Sequence, residues 1–146
     1  MVTTYADIAA AMYEDSLIAA RKLQRAVETL VATPSEATMK AAREAWLAAR
    51  VPYQQTEVYR FGNPVVDNWE GRVNAWPLDE GLIDYVDAGY GEASDENPLR
   101  NANVIANTTI KYGGKTLDTR NINWRLLRSL QEAGGIEANV ATGYRA

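Results

Sequence analysis

Residues 36–59, "EATMKAAREAWLAARVPYQQTEVY", carry the pattern that decides the fold. The stretch reads as a helix whose residues at steps of three and four share one face. Its boundaries are also written in the sequence. Thr33-Pro34-Ser35 breaks whatever precedes it, and Ser35 is a good N-cap for a helix starting at Glu36. Gly62 is a stop signal at the far end. Pro52 lies inside, where a proline removes one helix hydrogen bond and clashes with the turn before it, at about 3 kcal/mol. A bend near Arg50 is therefore predicted.

Towards the N-terminus, residues 4–32 read as a long amphipathic helix. Tyr5, Ile8, Met12, Ala19, Leu23, Val27 and Leu30 recur at steps of three, four or seven, and Thr4 with Asp7 suggests a capping pair. Towards the C-terminus the period fades. Residues 62–77, "GNPVVDNWEGRVNAWP", are rich in Asn, Gly and Pro and read as a long loop, packed down by two Trp and two Val. "LDEGLIDYVDAGYG" (78–91) predicts a short helix, and residues 91–103 predict turns. "TIKYGGKTLDT" (109–119) predicts a β-hairpin turning at Gly113-Gly114. Asn123 can cap a helix "WRLLRSLQEA" ended by Gly134-Gly135, and a last helix is expected from about Ile136. The expected fold is all-α, an irregular up-and-down helical bundle with one long packed loop and a small β-hairpin. The 146 residues fit a single helical domain, 1–146.

Composition narrows the chemistry. The chain has no Cys and no His and a net charge of −4. Disulfides and thiolate metal sites are excluded. So are the usual general base near neutral pH and the commonest metal ligand. A cation held by this chain would need oxygen ligands. No basic patch points to nucleic acid. No apolar run approaches the roughly 20 residues of a membrane span. The start, "MVTTYADIAA", lacks signal-peptide regions, so the expectation is either a cytoplasmic chain or one beginning at a mature N-terminus.

Three groups of residues merit a chemical reading. Arg43, Trp46, Arg50, Tyr53, Glu57 and Arg60 are spaced 3, 4, 3, 4 and 3 apart, along one helix face. Arg50, Tyr53 and Glu57 could line a polar pocket, with Glu57 as ligand or acid/base group held ionised by the arginines. The same pattern suits a half-buried face of ion pairs with Trp46 stacked on Arg50. Glu80, Asp84 and Asp87 form an acidic stripe that a hard cation or plain solvation would offset, and Asp79 stands in the first turn of that segment. Asp67, Asn68 and Glu70 could ligate a cation, but their spacing fits no calcium loop. The sequence holds no phosphate-binding glycine loop, no histidine-activated nucleophile and no zinc helix motif.

Taken together, "AWLAARVPYQQTEVYRFGNPVVDNWEGRVNAWPLDEGLIDYV" (45–86) and "NVATGY" (139–144) resemble the imelysin family, bacterial cell-envelope proteins grouped with iron-regulated proteins and an insulin-cleaving membrane protease. The similarity is greatest to the iron-regulated protein A branch and covers nearly the whole chain. It implies an exported helical protein of two bundle-like halves, this chain corresponding to the first, with a G-x-H-x-x-E motif on a helix near their interface. Gly143 matches the motif glycine and Tyr144 the residue after it. Arg145 stands where histidine is expected, and the glutamate falls beyond Ala146. Arginine cannot ligate a metal.

The resemblance implies iron or another divalent cation as cofactor of the full-length protein. The candidate site residues are Trp46, Arg50, Tyr53, Glu57, Arg60, Trp76, Asp79, Gly143, Tyr144 and Arg145, with Glu57, Asp79 and Glu80 as candidate metal ligands. The expected partner is the C-terminal half or a second copy of the chain, and the expected location is the periplasm or cell envelope. The expected function is iron or metal binding or uptake; the alternatives are a metallopeptidase-like hydrolase and an inactive scaffold.

Overall fold

The computed structural model describes residues 1–146, all but the side chain of Ala88. Four α-helices and one two-stranded sheet are present among them: α1 (Val2–Ala32), α2 (Glu36–Gln55), α3 (Pro64–Val73), β1 (Thr109–Tyr112), β2 (Lys115–Asp118) and α4 (Trp124–Leu130). The mostly helical architecture with a small hairpin is the one the sequence predicts. The chain divides into two compact units, Met1–Asp67 and Asn68–Ala146.

The first unit is a helical hairpin. Ser35 caps α2 with a full capping box, accepting from the Thr38 amide while Thr38 Oγ1 accepts from the Ser35 amide. The helices run antiparallel, since Tyr5 and Tyr13 near the start of α1 meet Tyr59 just past the end of α2. The buried residues of the hairpin are mostly small, Ser16 of α1 with Ala42 and Ala49 of α2, joined by Tyr53 near the end of α2. Small side chains let the two backbones approach closely. The apolar stripe of α1 is turned relative to its expected setting, with Tyr5, Ile8 and Val27 exposed. Thr4 and Asp7 do not cap α1, which starts at Val2 with no side-chain cap. Pro52 does not end α2. The helix continues to Gln55 and then tightens into a 3-10 turn, Thr56–Tyr59.

The second unit is built around Leu82, Leu99, Val104, Ile110, Leu130, Ala133 and Ala141. The hairpin pairs Ile110 with Leu117. Gly113 and Gly114 both take positive φ, the conformation a two-residue hairpin turn requires. Asn123 caps α4 by accepting from the Arg125 and Leu126 amides.

Three expectations are corrected. The segment read as a long packed loop is largely helical, α3, opened by Pro64 at its first position, where a missing N–H costs nothing. Its tryptophan is not buried, since Trp69 is 46% exposed. Residues 78–91 form no helix but two 3-10 turns, Glu80–Leu82 and Ala88–Tyr90, because the Asp79 side chain rather than a helical ladder gathers the segment. The segment after Ile136 is not helical either. Asn139, Val140 and Ala141 are buried in an irregular strap whose backbone groups bond to distant parts of the chain.

Candidate functional site

The C-terminus of α3 explains the strap. A helix leaves its last four carbonyls without intrahelical partners. Here all four are satisfied. The Glu70 carbonyl accepts from the Asn74 amide at 2.8 Å. The Gly71 carbonyl accepts from Gln131 Nε2 at 3.0 Å, and the Arg72 carbonyl from Thr142 Oγ1 at 2.9 Å. The Val73 carbonyl accepts from the Tyr144 amide at 2.8 Å. Three of the four donors therefore come from residues far along the chain. Gln131 completes the lock by accepting from the Ala141 and Thr142 amides through Oε1.

Gly143 is placed where only glycine fits. Its φ is +98°, and a Cβ there would lie 2.6 Å from both the carbonyl carbon and the oxygen of Val73. In the two residues that follow, burial raises the Tyr144 phenol above its usual pKa of 10.0, while Arg145 donates from Nε to Asn74 Oδ1 at 3.1 Å and lies 5.0 Å from the centre of the Trp76 ring. Trp76 is 69% exposed and precedes a cis peptide bond to Pro77. The tail "TGYRA" is thus the cap of α3, and Arg145 sits at its rim.

Asp79 gathers a second network. Its amide donates to the Ala138 carbonyl at 2.8 Å. Its carboxylate accepts from Tyr90 Oη at 3.2 Å and from Asn97 Nδ2 at 2.5 Å, with Arg100 Nε 3.9 Å away. The Arg100 guanidinium also stacks on Tyr90 at 4.9 Å and donates to its carbonyl. A carboxylate with this donor set is already committed, so Asp79 does not suit a resident cation. Glu80 is exposed beside it. No three acidic side chains converge on a possible ion among the described residues.

In the first unit, the polar face of α2 divides. Tyr53 is buried, Trp46 and Arg50 are half-buried, and Glu57 and Arg60 are exposed beyond the end of the α-helix. Arg50 lies 4.8 Å from the Trp46 ring, the stacking the spacing suggests, and Arg60 Nε faces Asp67 Oδ1 at 3.5 Å. Trp46, Arg50, Tyr53, Glu57 and Arg60 belong to this unit. Trp76, Asp79, Glu80, Gly143, Tyr144 and Arg145 belong to the other.

Within the second unit lies a cleft of about 730 Å³ beside the α3 cap. Asn68, Gly71 and Arg72 of α3 form one wall, and Arg128, Gln131 and Glu132 the other. Glu132 takes a left-handed conformation, φ 53° and ψ 29°, which costs a non-glycine residue about 1–2 kcal/mol. Nothing in the sequence marks this cleft. Arg72, Arg128 and Glu132 are ordinary surface residues until the cap brings α3 against the turn after α4.

Residues 9–146 match Imelysin (Peptidase M75), and the chain belongs to the imelysin family. Over 60 residues it is 37% identical to "Iron-regulated protein A" of Synechococcus elongatus (strain ATCC 33912 / PCC 7942 / FACHB-805). That match spans 41% of this chain and 17% of the relative.

Proposed function

We propose that this chain is the first helical part of an imelysin-like bacterial cell-envelope protein associated with iron, working by binding rather than by hydrolysis. One observation speaks against hydrolysis by a metal-bound water at this position. Arg145, at the position where the family resemblance expects histidine, is engaged with Asn74 and Trp76 and offers a cation no ligand. The likeness to an iron-regulated relative supports the link to iron. The expected result in the source cells is a protein that fractionates with the periplasm or envelope and rises in amount on iron starvation. Purified, it should show no peptide hydrolysis that a chelator abolishes. A level indifferent to iron would remove the iron reading, and chelator-sensitive hydrolysis would replace binding with catalysis.

The α1–α2 hairpin also presents apolar residues for a partner. Leu17, Val31, Leu47, Val51 and Val58 are each at least 50% exposed. A surface of this kind marks an interaction site when its residues are contiguous. We assign it to the remainder of a longer imelysin-like protein or to a second copy of the chain. The isolated chain should self-associate with rising concentration in sedimentation velocity, and Leu47→Lys with Val51→Lys should reverse it. A strictly monomeric chain at high concentration would remove this assignment. No helix among the described residues is long and apolar enough to cross a membrane.

A further inference from the structure

The cleft between α3 and the turn after α4 has features that the capping role leaves unexplained. Its lining includes two arginines, Arg72 and Arg128, and one acidic residue, Glu132, all three exposed to the solvent that a ligand would displace. Among the described residues none of these three side-chain charges makes an ion pair. The floor is fixed. Gln131 is held at both ends of its amide, by the Gly71 carbonyl and by the Ala141 and Thr142 amides. The Glu132 carboxylate lies over Gly71, with Oε1 3.6 Å from where a Cβ at that glycine would stand.

Glu132 is the second, independent sign. It stands in left-handed backbone directly before Ala133-Gly134-Gly135, a position glycine would fill without strain. Its backbone role, an N–H donated to the Asn139 carbonyl at 2.7 Å, needs no side chain. A strained non-glycine residue whose carboxylate faces a cleft points to a use for that carboxylate.

The charges specify the ligand. Two cations and one anion on the walls complement two anions and one cation. We propose that this cleft binds a small acidic zwitterion, its two carboxylates facing Arg72 and Arg128 and its ammonium facing Glu132. The volume lies in the range of small-molecule sites and accepts either a free acidic amino acid or a short peptide carrying the same three groups. This goes beyond the iron-linked reading and does not depend on it.

The experiment is calorimetric titration of the 146-residue chain with L-glutamate and glycyl-L-glutamate. Glutarate, which lacks the ammonium, and L-alanine, which lacks the second carboxylate, serve as comparisons. At least one acidic zwitterion should bind tenfold or more tightly than either comparison. Arg128→Met should weaken it at least tenfold. Glu132→Gly, which suits the backbone, should fold at least as stably as the parent and bind glutamate no better than glutarate. Tighter binding of the dipeptide would identify a peptide as the ligand, and equal binding the free amino acid. The proposal is overturned if glutarate matches glutamate in the parent chain, if inorganic phosphate competes as well as the zwitterions, or if no zwitterion binds at millimolar concentration. It is overturned equally if Glu132→Gly unfolds the second unit, because the side chain would then be structural.

Discussion

Replacing Gly143 with alanine is expected to release the final strap from α3 and to destabilise the second unit by about 2–4 kcal/mol. Two effects act together. The backbone stands at φ +98°, which alanine rarely adopts, and the added methyl would meet the Val73 backbone at 2.6 Å. Neither obstacle is a flexible side chain that can swing aside. Relief requires the strap to move, and the Tyr144 amide then leaves the Val73 carbonyl. Thr142 and Gln131 lie next in line, so the Arg72 and Gly71 carbonyls would lose their donors in turn. Urea denaturation read by circular dichroism measures the cost. A loss below about 0.5 kcal/mol, the range of ordinary surface changes, would mean that the close approach is not maintained in solution.

The same docking has a pH signature. Burial raises the Tyr144 phenol above its usual value, so the folded state disfavours the phenolate. The unfolded chain ionises near 10.0, and the folded chain higher. Stability from this group is therefore complete below pH 10 and is lost as pH rises through the folded value. Tyr144→Phe should flatten that part of the stability profile.

Asp79→Ala is expected to cost about 2–4 kcal/mol, because it strands donors rather than merely deleting a contact. Asn97 Nδ2 and Tyr90 Oη would lose their acceptor, and the half-buried Arg100 would lose its nearest carboxylate. Asn97 is buried, so solvent does not readily replace the lost partner. Asp79→Asn keeps an acceptor oxygen and should cost about half as much. If the two substitutions were equal and mild in equilibrium unfolding, Asp79 would not be the residue gathering residues 78–100.

Where structure depends on local chemistry, the sequence was readable. The helices α1 and α2 follow from residue type and period, the Ser35 cap from its position, the hairpin from Gly113-Gly114 and α4 from Asn123. Where it depends on distant partners, the signal was lost or misleading. α3 looked like a loop because Asn, Gly and Pro dominate its flanks, while the groups that close its C-terminus sit at Gln131, Thr142 and Tyr144. "EANVATGY" reads as a helix from its sequence, yet Asn139 donates from its side-chain Nδ2 to the Ala133 carbonyl and accepts the Glu132 amide on its backbone carbonyl. The candidate site was legible in part. Gly143, Tyr144 and Arg145 were marked by family resemblance, and Trp46 with Arg50 by spacing. Arg72, Arg128 and Glu132 gave no signal, since only the fold makes them neighbours of one cleft.

Amide hydrogen exchange at Tyr144 tests the capping role most directly. Its N–H donates to the Val73 carbonyl, and no helix or strand protects it locally. Strong protection, lost in Gly143→Ala, is the expected result. Exchange at the rate of an unstructured peptide in the parent chain would contradict it, and "TGYRA" would then be a loose end rather than the piece that closes α3.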